Sequence, residues 1–393
     1  MSKLKLLFSS YVLLLITFFV YSFTQVDLNL TLSKISVYQT AEKALQYIGF
    51  FQRPLSTLIL LVLLTFLFIF YFVFLNLAKN GKLSLRNLKI LTVLSFVTLV
   101  FSYNAFSYDL FNYIFDARII THYQQNPYLH SAGNFFNDPM LNFMRWTHRT
   151  YPYGPSWLIL TVPLSFLGLG IFLPTFFLFK LLMGLSFLGS CYLIYKISEM
   201  IFPEHKIFNT VFFAFNPLVL IESLISAHND IPMIFFILLS IYLILQKKTA
   251  LSWISNIFSI GIKFSTGILL PLFFILEFFL RRGGKISWEK FFTAAVCLSL
   301  LTVLIATLRT TFQPWYLIFP LSMAAFTSKK SYIFVTSFFA SIFAAAVYIP
   351  YVYMTDYAKG YPGVLFRFES IGLAATFVLP LIILYSKRLL QKR

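Results

Sequence analysis

The chain has 393 residues, of which 59% are hydrophobic, 20% aromatic and only 11% charged, where a soluble domain carries roughly 25% charged residues. With a mean hydropathy of +0.81, this composition excludes an ordinary soluble enzyme and a disordered chain, and it marks a polytopic membrane protein. The net charge of +18 would suggest nucleic acid in a soluble chain, but here it reads as inner loops obeying the positive-inside rule, with the bilayer and not a nucleic acid as partner.

A crossing helix needs about 20 apolar residues. The sequence predicts about twelve, near residues 5–23, 55–78, 88–106, 174–196, 207–224, 231–246, 250–263, 265–280, 291–308, 315–328, 331–354 and 367–386. The first has the basic start of a signal peptide, yet its apolar run is long and no small-x-small cleavage site follows, so it reads as a retained helix. The run WLILTVPLSFLGLGIF at 157–172 is broken by Pro163, Gly168 and Gly170. If it crossed, every later basic loop would change sides, so it reads as re-entrant or lying along the outer surface. No internal repeat or soluble appendage is evident, and residues 1–393 read as one all-α transmembrane domain. The two cysteines, Cys191 and Cys297, both lie in apolar runs, so thiols build neither a disulfide framework nor a zinc site.

Basic residues set the orientation. With the N-terminus inside, the cytoplasmic side collects Lys3, Lys5, Lys79, Lys82, Arg86, Lys89, Lys196, Lys206, Lys247, Lys248, Arg281, Arg282, Lys285, Lys290, Lys329, Lys330, Lys387, Arg388, Lys392 and Arg393. Both termini are then expected in the cytoplasm.

The longest non-membrane stretch, Ser107 to Trp157, holds Asp109, Asp116, Asp138, Arg118, Arg145, Arg149, His122, His130 and His148. On a helix Asp109 and Asp116 fall two turns apart on one face, with Arg118 close by in sequence. A carboxylate pair beside a guanidinium suits a polar, anionic substrate, while the plain reading is a solvated interfacial loop. His122, His130 and His148 lack an i, i+4 pairing or an HExxH frame, so no metal site is expected. No glycine-rich phosphate cradle appears, which argues against a cytosolic nucleotide as direct substrate.

Three more features fall on the expected outer face: SAHND (Ser226 to Asp230), Lys263 within SIGIKFSTG, and QPWY (Gln313 to Tyr316). Ionisable residues at such depth are costly and default to function. His228 reads either as part of a helix cap, with Asn229 or Asp230 as N-cap ahead of Pro232, or as a site residue, and the two can hold together. Lys263 interrupts the apolar stretch 250–280 and either snorkels to headgroups or binds a phosphate beside Arg118. Trp315 and Tyr316 suit a sugar face or an interfacial aromatic belt.

The segments SYDLFNYIFDAR, QNPY, YPYGP, FNPLVLIESLISAHND, SIGIKFSTGILLPL and QPWYLIFPL, in this order, resemble the membrane-embedded GT-C glycosyltransferases, and among them the polyprenol-phosphate-mannose-dependent α-mannosyltransferases of actinobacterial lipoglycan synthesis. The resemblance covers about residues 88–330. It implies transfer of a hexosyl residue, with mannose the implied sugar, from a polyprenyl-phosphate sugar donor to a glycan or glycolipid acceptor on the outer face, by an inverting displacement and without a cofactor or metal. In that family the acid opening the first large outer loop is the general base, and Asp109 occupies its position. The resemblance places Arg118 and Lys263 on the departing phosphate. It has His228, Asn229 and Asp230 orienting the donor with Asp116 nearby, and Trp315 and Tyr316 lining the sugar pocket. The competing reading is a transporter or flippase of lipid-linked sugars, which should show two similar halves with paired broken helices and a site near the midplane. The sequence shows no such halves.

Overall fold

The computed structural model describes residues 3–327, 330–355 and 358–391. Of the basic residues that set the orientation, Lys329, Lys392 and Arg393 lie outside them. The fold is all-α. In chain order it runs α1 (Lys3–Ser22), α2 (Ser36–Gln46), α3 (Arg53–Lys79), α4 (Leu85–Leu99), α5 (Asp109–Thr121), α6 (Pro155–Leu167), α7 (Phe172–Ile201), α8 (Lys206–Ala214), α9 (Pro217–Leu220), α10 (Asp230–Leu245), α11 (Thr249–Ile262), α12 (Leu270–Arg281), α13 (Trp288–Arg309), α14 (Ile318–Ala324), α15 (Ser331–Ala346), α16 (Tyr348–Met354) and α17 (Tyr361–Gln391). Among the described residues seven stretches are long and apolar enough to cross a membrane, or eight if the bent pair Pro203–Ala214 and Pro217–Ile225 counts as one. This makes the chain a multi-helix membrane protein. Its exposed apolar side chains, such as Leu58, Leu61, Phe66 and Phe72 on α3, face where lipid tails would be and need no partner there.

Helix occupies each of the twelve places expected to cross, but among the described residues only seven or eight are long and apolar enough to do so; those near 88–106, 231–246, 250–263 and 315–328 are too short. The run predicted as 88–106 stops at Leu99, because Ser102, Asn104 and Ser107 spend their hydrogen-bonding groups on a turn, including Asn104 Nδ2 to Ser107 O at 2.7 Å. The run predicted as 207–224 bends by 56° at Asn216–Pro217. Pro217 has no N–H to continue the ladder, and Asn216 Oδ1 instead caps Leu218 N at 3.0 Å. Beyond α9 the backbone widens into a π-turn over Ile221–Ile225, a form that concentrates at functional sites. The 331–354 run divides into α15 and α16, and the 315–328 run contains only the seven-residue α14 between 3-10 turns.

Two elements escape the hydropathy pattern. α2 is an amphipathic helix whose inward Gln46 donates to the carbonyls of Val26 and Asp27, at 3.3 Å each. Gly49, just after it, lies so close to the carbonyl of Thr24 that a Cβ would sit 1.8 Å from that oxygen. The second is α5, which carries Asp109, Tyr113 and Asp116 along one face. α6 is 13 residues long, about 20 Å at 1.5 Å per residue, short of the roughly 30 Å hydrocarbon layer.

Candidate active site

The site is built where α5 starts. Ser107 Oγ accepts from Asp109 N at 3.1 Å, which fixes the first turn and presents the Asp109 carboxylate. On its other side Ser107 Oγ lies 3.0 Å from His228 Nε2. Asp109 Oδ2 is 3.7 Å from the same nitrogen, so one imidazole edge faces both a hydroxyl and a carboxylate. Asp109 keeps 19% of its side chain exposed while His228 is fully buried.

His228 is delivered by the turn that ends the bent helix. Ala227 sits in the left-handed region at φ 60°, an uncommon conformation for a residue with a Cβ, and His228 N donates to Glu222 O at 2.9 Å. Nδ1 of His228 lies 3.0 Å from Glu222 Oε2, close enough for ion pairing but not aligned as a hydrogen bond. Glu222 Oε1 accepts from Tyr348 OH at 2.6 Å. Trp315 lies flat on the imidazole, ring centres 3.9 Å apart and planes 20° off parallel. The ring of His228 is thus held by carboxylates at both edges and an indole on its face.

The turn itself is tied down from below. Lys180, a buried residue of α7, donates to the carbonyls of Leu224 and Ile225, the latter at 2.8 Å, and to Ser102 Oγ at 3.3 Å. A cation at the carbonyl end of a helical segment is favourably placed against the local dipole.

A second cluster adjoins the first along α5. Tyr113, one turn after Asp109, donates to Asn229 Oδ1 at 3.3 Å and meets Trp157 and Tyr153 edge-on. Asp230 Oδ2 pairs with Lys263 Nζ at 2.7 Å, and the ammonium lies 5.5 Å from the Tyr316 ring centre. Lys263 stands at the break between α11 and α12. Two glycines bring this corner against the YPYGP turn: a Cβ on Gly154 would sit 2.4 Å from Gly261 O, and one on Gly261 would sit 2.1 Å from Ser156 Oγ.

Asp116 continues the Asp109 face of α5. Burial pushes its carboxyl up to about 8, opposed by the charge of Arg149 and assisted by that of Asp109. It is therefore largely protonated near neutral pH, and the face does not carry two full negative charges.

The structure brings Asp109, His228 and Trp315 together, and Asn229, Asp230, Lys263 and Tyr316 beside them. It does not bring in Arg118. Nine residues on from Asp109, at about 100° each, is half a turn too many, so Arg118 leaves the other side of α5. There its Nε pairs with Asp138 Oδ2 at 2.7 Å. Burial alone would raise the Asp138 carboxyl, but hydrogen bonds from Tyr123, the Met140 backbone and Arg118 outweigh it and hold it below its ordinary value. The expected Arg118–Lys263 anion pair is corrected accordingly. The expected cap is also absent: Asn229 is N-cap of α10 by position but makes no side-chain capping bond, its oxygen being taken by Tyr113. Among the described residues, no three His, Cys, Asp or Glu side chains are grouped to hold a metal ion.

Sequence reasoning left out Ser107, Tyr113, Lys180, Glu222 and Tyr348 as site residues. Lys180 had a usable signal, a lone cation in an apolar run of the same kind that marks Lys263. Tyr348 had none, because it meets Glu222 across 126 positions.

A model of the alpha-(1->6)-mannopyranosyltransferase N-terminal domain family matches residues 19–278, more than half of the 393-residue chain. The chain belongs to that family. This member of the mannosyltransferase family is accordingly a glycosyltransferase, acting on a sugar donor and an acceptor in a membrane setting. The matched span contains Asp109, Glu222, His228 and Lys263, while Trp315, Tyr316 and Tyr348 of the enzyme lie beyond it. No curated protein and no solved structure matches the chain.

Proposed function

We propose that this mannosyltransferase-family enzyme takes its hexosyl residue, mannose, from a polyprenyl-phosphate sugar and places it on a lipid-linked or glycan acceptor at the outer face, by a single inverting displacement with Asp109 as general base. The observation that carries the proposal is the setting of Asp109: partly exposed at the first turn of α5, with its inner side met by the His228–Glu222 pair. A base needs reach to the proton it takes, and here the reachable carboxylate is positioned from behind.

The acceptor hydroxyl oxygen attacks the anomeric carbon as the bond from that carbon to the phosphate oxygen breaks. The hydroxyl proton passes to Asp109, and the bond pair leaves with the polyprenyl phosphate. Because the family makes α linkages, one inversion requires a β-linked donor. Lys263 supplies the positive charge for the departing phosphate. Asp230 fixes its ammonium at 2.7 Å, and Phe264 beside it is 63% exposed, which suits a ligand with an anionic head and an apolar tail. Arg118 takes no part in this reading and pins the loop through Asp138.

The outer-face assignment draws support from the α3–α4 turn, whose Lys79, Lys82, Arg86 and Lys89 lie at the opposite end of α4 from Asp109. Positive loops stay in the cytoplasm. The GT-C architecture proposed from the sequence accords with an acid at the head of the first long loop.

The test is sugar transfer in vesicles reconstituted with the full chain, radiolabelled polyprenyl-phosphate mannose and a mixed glycolipid acceptor pool. Wild type transfers label, and Asp109→Asn loses about 10²- to 10⁴-fold in rate while still binding donor. Undiminished turnover by the variant refutes the base. Label crossing the bilayer without transfer to acceptor refutes the donor reading in favour of transport.

A further inference from the structure

A helix at the watery edge of a protein turns its polar side outward and its apolar side to the core. α2 does the reverse. Its outward residues include Val37, Ala41 and Ala44, spaced as one helical face and all exposed, and the π-turn that continues it adds Tyr47 and Phe51. Val37 is 81% exposed and Phe51 66%, and the rings of Tyr47 and Phe51 stack with centres 5.7 Å apart. The inward face carries Glu42 and Gln46, both buried.

The inward polar groups are all in use. Glu42 Oε2 accepts from Leu32 N at 3.3 Å, and Gln46 donates to the carbonyls of Val26 and Asp27. α2 is thereby fastened over the segment between α1 and itself, polar side down. Lys34 just before the helix and Lys43 within it are exposed. A helix with an apolar face and lysines beside it is the pattern of one lying in a membrane interface.

Length and connections fix where that interface is. α2 has 11 residues, about 16 Å at 1.5 Å per residue, roughly half the hydrocarbon layer, so it does not cross. It lies between the end of α1 at Ser22 and the start of α3 at Arg53. Asp27, bonded to Gln46 through its carbonyl, accepts at Oδ2 from Tyr108 OH at 2.9 Å, which sets α2 at the Asp109 end of the bundle. Past Phe51 the apolar exposure continues on α3 through Leu55, Leu58 and Leu61, on a helix long and apolar enough to cross. The outward face of α2 therefore runs on into a lipid-facing wall. α6, also too short to cross, shows the same reversal, with Ser156, Thr161 and Ser165 buried and Ile159, Phe166 and Leu167 exposed.

We propose that α2 is an in-plane membrane anchor, with the face of Val37, Ala41, Ala44, Tyr47 and Phe51 seated at the boundary of headgroups and acyl chains in the leaflet on the Asp109 side. Its partner is the phospholipid surface. The aliphatic side chains enter the acyl boundary, Tyr47 and Phe51 sit at headgroup level as interfacial aromatics do, and Lys34 and Lys43 extend toward phosphates. The anchor also reaches the site. Gln46 holds the Asp27 carbonyl and the Asp27 carboxylate holds Tyr108, the residue before Asp109, so lipid contact on α2 steadies the first turn of α5. This seating needs only the membrane character of the chain and is independent of the donor and acceptor proposed above.

The experiment puts single fluorescent labels on the full chain in phosphatidylcholine nanodiscs. Cys297, the exposed one of the two thiols, is first replaced by alanine. An environment-sensitive label is then attached at Val37→Cys, at Ala44→Cys or, as a water-facing control, at Lys82→Cys in the α3–α4 turn. The Val37 and Ala44 labels should be quenched more by a nitroxide near the headgroup end of the acyl chain than by one near its tip. Aqueous iodide should spare them and quench the Lys82 label. Dominant quenching by iodide means a helix facing water, dominant quenching from the chain tip means a re-entrant one, and quenching by neither means a face covered by protein, a second copy included. Each of these three overturns the anchor. Amide exchange then tests the link to α5. Ala44→Glu should remove protection from residues 24–32 and from the first turn of α5, whereas Ala44→Leu, bulky but apolar, should keep it. Equal effects of the two variants, or none, overturn the link. No readout here uses sugar transfer, so failure of the anchor leaves the transfer reading standing, and failure of transfer leaves the anchor standing.

Discussion

Replacing Lys180 by methionine separates the stability of the bundle from the aim of its site. The side chain is 1% exposed and its ammonium serves two backbone carbonyls at the end of the π-turn. Charged hydrogen bonds contribute about 1.5–3 kcal/mol each, so roughly 3–6 kcal/mol is lost with the two. Against this, removing an ammonium from membrane depth recovers about 2.5–3.5 kcal/mol on insertion scales. The net destabilisation is then only about 0–3 kcal/mol. Activity should respond more sharply. The two carbonyls lie three and four residues before His228, and a displacement of about 1 Å in a reacting group costs roughly 100-fold. Transfer in vesicles is therefore expected to fall about 10- to 100-fold, while the thermal midpoint in detergent drops by only a few degrees. Lys180→Gln, which keeps uncharged N–H donors, should fall between. Full activity in Lys180→Met would refute the idea that the ammonium positions the His228 turn.

Two further changes test other parts of the site. The Asp116 carboxyl is raised from 3.8 to about 8 in the folded protein, so the folded state holds this proton more tightly than the unfolded chain. The stability it contributes is complete below about pH 4 and is lost as pH climbs through about 8. Asp116→Asn should flatten this part of the midpoint-versus-pH curve between pH 5 and 9, and an unchanged curve would exclude Asp116 as its source. Gly154→Ala places a Cβ against the Gly261 backbone, and overpacking of this kind costs about 1–3 kcal/mol. Thermal unfolding should show that loss, whereas Gly363→Ala, with open space around its Cβ position, should not.

The readable parts of the sequence were those where polarity and apolar run length agree. α3 and α7 are long apolar stretches, and Lys263 and the SAHND turn interrupt such stretches, so hydropathy finds both helices and interruptions. Arg118 misled because closeness in sequence was taken for closeness in space. A helix running from Asp109 sends position 118 to the far side, and only the extent of α5 decides that. The bend at Asn216–Pro217 was marked by its proline, yet an apolar tally runs straight through it. Glu222 lay within an apolar run without a role, since its partners Tyr348 and His228 come together only through tertiary packing. α2 was hidden for the opposite reason: its inward side is Glu42 and Gln46, so no apolar stripe announces it.

Lys263 and the exposed ring of Phe264 stand side by side at the wall of the bundle. For the lipid-borne donor proposed above, this makes arrival a sideways event within one leaflet, not a collision from solution. Encounter then depends on how many donor molecules share the leaflet area around each enzyme. Diluting the vesicles in buffer leaves that crowding untouched, whereas adding inert phospholipid thins it. The meaningful saturation constant for the donor is a mole fraction of lipid, and two preparations with identical bulk concentrations can differ in rate solely through their lipid content.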